Sequence, residues 1–424
     1  MRRSGVQPLD FLYTTSSPTL PTPKELIPDR RRLRSLVYRY INESSGDELV
    51  SFLLTPSRLE RLEIRCVGYF PLPTLSSNIA PLRLRELAIW GCSPWPNHQF
   101  GSLTSLSLLC QEDLNASIYR LLDALRCSPH LEDLVLERDL RSSIGVLQPQ
   151  EHNVPAVPLR SLKRLNVCRL PVETTRCLLG ALDLPSNGIF MRFADVSSDL
   201  HAIFPETVAP DVSPRAATKV ELIYPPEDGV IIHATNGIAY TRLTWLSRFS
   251  PPLITEERRG EYHLKELWLH INGNKYHRML PLRALHDLER LVVKIDPKRS
   301  IDSVLFPMLS PTKNGVPSPL LSTLEVQGAY DVAAFGKVLK ARSDAGSRLK
   351  MLRTGWFDGC EEMMAPLAQF VDNLDFYRVS DEKSRGLELP EECITRSLWW
   401  EPWHRRFVGE METRQNLQRT YDMF

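Results

Sequence analysis

Apolar residues recur along the chain in one frame, at a first position and again three and five residues later. The clearest copy is Leu264, Leu267 and Leu269, whose last two leucines alternate with Glu266 and Trp268. This alternation has the two-residue period of a half-buried strand. One such strand cannot bury its apolar side alone, so the pattern predicts that it stacks on copies of itself.

Copies of this frame occur on both sides of the Leu264 segment. Clear copies begin at Leu59, Leu84, Leu103, Leu131, Leu162, Leu288 and Leu321. Weaker copies begin at Leu33, Ala217, Leu349 and Val371. Intervals of 19, 24, 25, 28 and 31 residues separate neighbouring copies, close to the period of about 20 to 29 residues that is typical of leucine-rich repeats. A single copy is weak evidence, but eight clear copies predict an α/β leucine-rich-repeat solenoid, with a parallel sheet on its concave face and helices on its convex face.

Helical periodicity fills several of the intervals between the predicted strands. Ile118, Leu121, Leu122 and Leu125 fall on one face of a helix predicted over Leu114–Arg126. Further helices are predicted at Gly46–Leu54, Val172–Leu182, Tyr240–Phe249, Val332–Ala341 and Glu361–Phe370. The repeating unit is therefore strand, loop, helix, loop.

The frame also divides the chain into three parts. Residues 1–30 are predicted to form an entry segment, residues 31–380 the repeat array with an irregular portion at 183–262, and residues 381–424 a capping tail. The tail holds Trp399, Trp400 and Trp403. These tryptophans either cover the end of the array, as a solenoid requires, or form an exposed motif that binds a partner.

Charge and composition narrow the classes of partner. The 52 basic and 51 acidic residues give a formal net charge of +1, which provides no electrostatic case for nucleic acid or an acidic membrane surface. No run of 18 apolar residues and no apolar signal-peptide core occur, so neither a membrane span nor a signal peptide is expected. The eight cysteines contain no C-x-x-C pair and are expected to be reduced thiols, as in a cytoplasmic or nuclear protein.

Motifs that carry catalysis or hold a cofactor are absent from the sequence. It contains no G-x-G-x-x-G, no G-x-x-x-x-G-K-S/T, no H-E-x-x-H and no G-x-S-x-G. The chain is therefore predicted to be non-enzymatic, with no catalytic residues, no cofactor and no metal.

What the pattern predicts instead is a binding surface for a protein partner on the concave face. Residues between the frame positions point to that face, and large aromatic residues and arginines anchor interfaces. The residues predicted to bind the partner are Trp90, Trp268, His270, Lys294, Glu325, Gln327 and Tyr377. Trp268 is expected to project outward at the centre, and the alternative is that neighbouring strands or a loop cover it.

Three segments resemble the F-box/leucine-rich-repeat-like proteins of mushroom-forming (basidiomycete) fungi. Arg3–Phe11 is similar to the R-S-G-x-x-P-L segment that follows the F-box in that group. The helix-to-strand junction Leu125–Leu136 and the interrupted strand Met308–Val326 are similar to its repeats.

The resemblance implies that this chain is the substrate-recognition half of an F-box-type ubiquitin-ligase receptor. In the group an F-box module precedes the R-S-G-x-x-P-L segment, whereas here Met1 stands directly before Arg2 and Arg3. Binding to the Skp-type adaptor of a cullin ligase is therefore expected only if an F-box lies upstream. The alternative function is an interaction scaffold or decoy without ligase coupling.

Overall fold

The computed structural model describes a set of segments in two compact units. The described residues are 9–14, 32–40, 58–70, 83–92, 101–111, 118–138, 155–185, 188–194, 203–205, 208, 217–224, 228–235, 239–246, 263–271, 282, 285–295, 302–356 and 361–378. Unit 1 holds those up to 208, and unit 2 holds those from 217. Both are mixed α/β structures.

Unit 1 is organised around a parallel sheet. Its strands are β1 (Leu9–Thr14), β2 (Leu33–Tyr40), β3 (Arg61–Phe70), β4 (Glu86–Cys92), β5 (Ser105–Gln111), β6 (Asp133–Arg138), β7 (Val157–Pro158), β8 (Arg164–Cys168), β9 (Leu182–Asp183) and β10 (Ile189–Ala194). The sheet order is β1-β2-β3-β4-β5-β6-β8-β10, and β7 pairs with β9 in a small second sheet. Helix α1 (Ile118–Arg126) buries the four apolar residues that the sequence assigned to its inner face, and α2 spans Val172–Ala181.

Unit 2 contains a sheet that is parallel except at one end. Its strands are β11 (Lys219–Tyr224), β12 (Asp228–Thr235), β13 (Ala239–Leu246), β14 (Glu266–Ile271), β15 (Arg290–Ile295), β16 (Thr323–Gln327), β17 (Leu349–Trp356) and β18 (Val371–Arg378), in the order β13-β12-β11-β14-β15-β16-β17-β18. The helices are α3 (Asp302–Leu309), α4 (Val332–Asp344) and α5 (Glu361–Met364), and a 3-10 helix (Ala365–Phe370) follows α5. None of the helices in the described segments is long and apolar enough to cross a membrane.

The frame residues of neighbouring strands lie opposite one another. Leu87 pairs with Leu106, and Leu134 pairs with both Leu106 and Leu165. All three frame residues of each clear copy are exposed by 4% or less. The predicted parallel strand at each clear copy is therefore confirmed, and burial of the frame residues sets the register.

The irregular portion contains more strands than the sequence indicated. In β10, Met191 and Phe193 pair with Leu165 and Val167 and are fully buried. Met191 and Phe193 occupy the second and third frame positions. Gly188 stands at the first position, and because it has no side chain the apolar frame is incomplete in the sequence. The prediction of one recognisable strand within 183–262 was therefore wrong.

The helix predicted over Tyr240–Phe249 was also wrong, because Ala239–Leu246 forms strand β13. It pairs antiparallel with β12, and β12 pairs antiparallel with β11, so this end of the unit 2 sheet is not parallel as predicted. Aromatic and β-branched residues such as Tyr240, Thr241 and Trp245 favour a strand. The Asn236-Gly237 pair between the two strands is a strong hairpin signal in the sequence.

Of four other predicted segments, the structure describes part or all of two, and the other two lie outside the described residues. The entry segment contains β1, which pairs parallel with β2. The helix predicted over Glu361–Phe370 keeps one α-helical turn and then becomes a 3-10 helix around Pro366, since proline lacks the N–H that an α-helix needs. The helix predicted over Gly46–Leu54 and the tail 381–424 lie outside the described residues.

A buried arginine fixes the insertion between α3 and β16. The Arg342 guanidinium donates to the carbonyl oxygens of Pro317 (2.7 Å), Ser318 (3.1 Å) and Leu309 (3.3 Å). Burial lowers the pKa of Arg342 to about 10, so the group remains charged at neutral pH. These bonds satisfy carbonyl groups that would otherwise be costly to bury.

Truncating a frame leucine should test the role of this register in stability. Leu134 is fully buried, so Leu134→Ala is expected to lower the free energy of unfolding by about 2–5 kcal/mol. Leu12 lies in the same unit but is exposed, and Leu12→Ala is expected to change stability by less than about 0.5 kcal/mol. Urea denaturation followed by circular dichroism measures both, and equal effects would contradict the packing described here.

Candidate functional site

The side of the unit 2 sheet opposite the frame residues is the candidate site, and we call it the polar face. Strand register arranges its residues in three rows. The first row contains Lys219, Glu266, Arg290, Thr323, Met351 and Asn373. The second contains Glu221, Trp268, Val292, Glu325, Arg353 and Asp375. The third, at the carboxyl-terminal side, contains Ile223, His270, Lys294, Gln327, Gly355 and Tyr377.

Opposite charges alternate across the polar face in a chain of ion pairs, which we call the charge ladder. The pairs are Lys219–Glu266 (3.2 Å), Glu266–Arg290 (3.2 Å), Arg290–Glu325 (3.4 Å), Glu325–Arg353 (3.5 Å) and Arg353–Asp375 (2.8 Å). Each of these strands places one charged side chain within reach of the next. The ladder therefore connects β11, β14, β15, β16, β17 and β18.

Glu325 is the centre of the ladder. It is exposed by 1%, and its carboxylate accepts hydrogen bonds from Arg290 (3.4 Å), Arg353 (3.5 Å) and the Tyr377 hydroxyl (3.3 Å). A buried carboxylate needs such partners because burying an unpaired charge is costly. Glu325 was predicted to offer an accessible acceptor to the partner, and its burial contradicts that role.

Trp268 is covered by its neighbours on the polar face. Its side chain is exposed by only 5%, and its indole Nε1 donates to Glu266 at 2.7 Å. The Arg290 guanidinium lies 5.0 Å from the ring centroid and the Lys294 ammonium 5.5 Å from it, within the range of cation–π attraction. Trp268 therefore lies on the face opposite the frame leucines, as expected, but the side chains of the next strand cover its ring. Of the two alternatives that the sequence left open, cover by a neighbouring strand is the one confirmed.

A glycine allows Tyr377 to reach back across the sheet. A Cβ atom on Gly355 would lie 3.0 Å from Cζ and Oη of the Tyr377 ring. The ring therefore occupies the space that a side chain on β17 would fill, and the hydroxyl reaches Glu325 two strands away. Arg353 contacts the same ring, with its guanidinium carbon 5.2 Å from the centroid.

The structure brings six of the seven predicted binding residues onto the polar face. His270, Lys294, Gln327 and Tyr377 are half-buried in the carboxyl-terminal row, while Trp268 and Glu325 are buried in the second row. Trp90 belongs to unit 1, where it is half-buried and the Arg65 guanidinium lies 5.8 Å from its ring centroid. Arg65 in turn forms an ion pair with Glu63.

Ion pairs also link neighbouring strands of unit 1. Arg61 donates to Glu86 through its terminal nitrogen at 3.0 Å, and this bond raises the pKa of Arg61. Arg164 donates to Asp133 at 2.6 Å. Charge alternation between frame-aligned positions is therefore common to both units.

Several members of the site were not among the residues predicted to bind. They are Lys219, Glu266, Arg290, Arg353, Gly355 and Asp375, of which all but the glycine belong to the charge ladder. A signal for the ladder existed in the sequence. In successive copies, a basic and then an acidic residue stands either two or four residues after the first frame residue. Gly355 had no such signal, since its role depends on where the Tyr377 ring lies.

Comparisons of the chain with protein-family models and with curated proteins find no match. Within the described segments, no three His, Cys, Asp or Glu side chains are grouped so that they could hold a metal ion. The description of the polar face therefore depends on its geometry alone: paired strands hold charged and aromatic side chains in rows.

Removing the Trp268 side chain should reduce stability, because the ring is buried between charged neighbours. We expect Trp268→Ala to lower the free energy of unfolding by about 3 kcal/mol. Trp268→Phe keeps a ring beneath Arg290 and Lys294 and loses the hydrogen bond to Glu266, so a smaller loss of about 1 kcal/mol is expected. Denaturant titration measures both values. Wild-type stability in the alanine variant would mean that the ring does not support the polar face.

A double-mutant cycle can test whether a side chain at position 355 would collide with the Tyr377 ring. Gly355→Ala should displace the Tyr377 ring, break its hydrogen bond to Glu325 and lower the free energy of unfolding by about 1 kcal/mol. In a Tyr377→Ala background the space is empty, and the same substitution should then be neutral or stabilising, since alanine orders the strand at lower entropic cost than glycine. Equal effects of Gly355→Ala in both backgrounds would show that the two residues do not interact.

Proposed function

We propose that this chain is a non-enzymatic protein-binding module, built as a leucine-rich-repeat solenoid, whose partner binds the polar face of unit 2. The frame copies at intervals near the leucine-rich-repeat period support the repeat assignment. In this proposal, the polar face takes the place of the concave face to which the sequence assigned the protein partner. The observation that carries the proposal is the charge ladder together with the half-buried His270, Lys294, Gln327 and Tyr377 in the row beside it.

Rigidity is the physical reason that such a face suits binding. Its side chains project from hydrogen-bonded strands and are restrained by ion pairs and ring contacts before a partner arrives. A preordered surface loses less side-chain entropy on association than a flexible one. The half-buried residues His270, Lys294, Gln327 and Tyr377 provide direct contacts. Glu325 holds the Tyr377 hydroxyl, and Trp268 lies against the Lys294 ammonium.

By its resemblance to F-box/leucine-rich-repeat-like proteins, we propose that the module recognises substrates for an F-box-type ubiquitin ligase in the cytoplasm or nucleus. The alternative is a scaffold or decoy that binds the same partner without ligase coupling. The two functions share the polar face and differ in the fate of the bound protein.

Site-specific photo-cross-linking tests the binding proposal. A photoreactive amino acid in place of Gln327 should cross-link a partner protein in an extract of the source organism. The same amino acid in place of Lys340, which is exposed on α4, should not cross-link that protein. An identical set of cross-linked proteins at both positions, or none at Gln327, would overturn the proposal that this face binds a protein.

Ubiquitination of the cross-linked partner separates the two functions. When an F-box is fused before Arg3 and the Skp-type adaptor, cullin and ubiquitin-charged conjugating enzyme are supplied, the receptor function predicts modification of the partner. Lys294→Glu in the same fusion should reduce that modification, whereas Lys340→Glu should not. Binding without modification in the fusion would favour the scaffold alternative.

A further inference from the structure

The insertion between α3 and β16 contains an exposed turn in which an asparagine precedes a glycine. Thr312, Lys313, Asn314 and Gly315 are all exposed. The backbones of Thr312 and Gly315 pair through two hydrogen bonds, of 2.9 and 3.0 Å, and these bonds close the turn. Asn314 and Gly315 therefore lie at the tip of a short hairpin on the surface of unit 2.

An asparagine followed by a glycine can modify itself. The backbone nitrogen of Gly315 loses its proton to solvent and attacks the side-chain carbonyl carbon of Asn314, an approach that no Cβ atom hinders. The new C–N bond closes a cyclic succinimide, and the side-chain nitrogen takes up a proton and leaves as ammonia. Water then opens the ring at either carbonyl, which leaves aspartate or isoaspartate at position 314. The Asn314 side chain makes no hydrogen bond to the described residues that would hold it away from this attack.

The closed turn opposes the reaction. The Gly315 N–H donates to the Thr312 carbonyl oxygen at 2.9 Å, so the nitrogen that must lose its proton is held in a hydrogen bond. The Asn314 N–H donates to the Thr312 side-chain oxygen at 3.3 Å, which restrains the backbone before Asn314 as well. The reaction therefore requires the turn to open first, and its rate measures how often the turn opens.

Buried hydrogen bonds at the base of the insertion hold the turn closed. The Arg342 guanidinium donates to the carbonyl oxygen of Leu309 before the turn and to those of Pro317 and Ser318 after it. The Ser318 hydroxyl donates to the Leu282 carbonyl oxygen at 2.8 Å. Arg342 thus joins both ends of the insertion to α4, and loss of these bonds should free the tip.

We propose that Asn314 is a self-modifying site, converted to aspartate or isoaspartate without an enzyme, at a rate that the Arg342-anchored turn keeps low. The product adds a carboxylate beside Lys313. The isoaspartate form also lengthens the backbone within the turn, which disrupts the pairing of Thr312 with Gly315. The insertion therefore records its own opening as a permanent change of charge. This site lies outside the polar face and does not depend on the proposed function.

Mass spectrometry of the purified full chain tests the proposal. The chain is incubated at mildly alkaline pH, either folded or unfolded in urea. It is then digested at acidic pH, where the reaction is slow, and aspartate and isoaspartate at position 314 are measured. We expect product in both samples, formed about tenfold more slowly in the folded chain, since the turn must open first. Asn314→Gln should give no product at this position over the same time, because its longer side chain does not close the same ring.

Three variants locate the restraint. Arg342→Gln removes the anchor and should raise the rate in the folded chain about five- to tenfold. Arg348→Gln also removes an arginine from unit 2, but the exposed ion pair of Arg348 with Asp372 lies outside the insertion, so the rate should not change. Ser318→Ala removes only the hydroxyl bond to Leu282 and should raise the rate by a smaller factor, which tests the anchor even where Arg342→Gln does not fold.

A fourth variant, Trp268→Ala, separates opening of the insertion from unfolding of the unit. It is expected to reduce stability but leaves the bonds of Arg342 in place, so the rate in the folded variant should stay close to that of the wild type. The proposal would be overturned by a folded wild-type chain that forms no product or reacts as fast as the unfolded one. It would also be overturned if Arg342→Gln and Ser318→Ala reacted no faster than Arg348→Gln, or if Trp268→Ala accelerated the reaction as much as Arg342→Gln.

Discussion

Parallel register, set by burial of the frame residues, is the constraint on which the rest of both units depends. When Leu267, Leu291 and Leu324 align in the interior, the residues between them align on the opposite side as a geometric consequence. A slip of one residue would expose every frame leucine, at a cost of about 1.5–3 kcal/mol for each exposed side chain. The order of the polar rows is thus fixed by the hydrophobic side of the sheet.

This constraint explains why opposite charges alternate across the polar face. Aligned positions on neighbouring strands are close enough for like charges to repel, so Glu266 beside Arg290 and Arg353 beside Asp375 are compatible neighbours. Pairs at the exposed ends of the ladder contribute little each, about 0–1 kcal/mol. The central pairs matter more, because Glu325 is buried and would be costly without Arg290 and Arg353.

The arrangement relates stability to binding. The buried layer of Trp268 and Glu325 supports a carboxyl-terminal row that remains partly accessible. Substitutions in the buried layer therefore act mainly on folding, whereas substitutions in the row act on the proposed binding. The sequence had assigned all of these residues to partner binding, whereas the structure divides them into buried supporting residues and partly accessible ones.

Sequence alone determined the frame copies, their strands and most helices, because burial of apolar residues is a local, periodic signal. It failed at β10, where Met191 and Phe193 replace leucine and valine, and at β13, where a helical period competed with strand propensity. It identified the polar face but not which of its residues are covered. The burial of Trp268 beneath Arg290 and Lys294, the ladder through Glu325 and the passage of Tyr377 over Gly355 were decided by tertiary structure. They join residues 22 to 52 positions apart, and such contacts depend on register and ring placement that no local pattern contains.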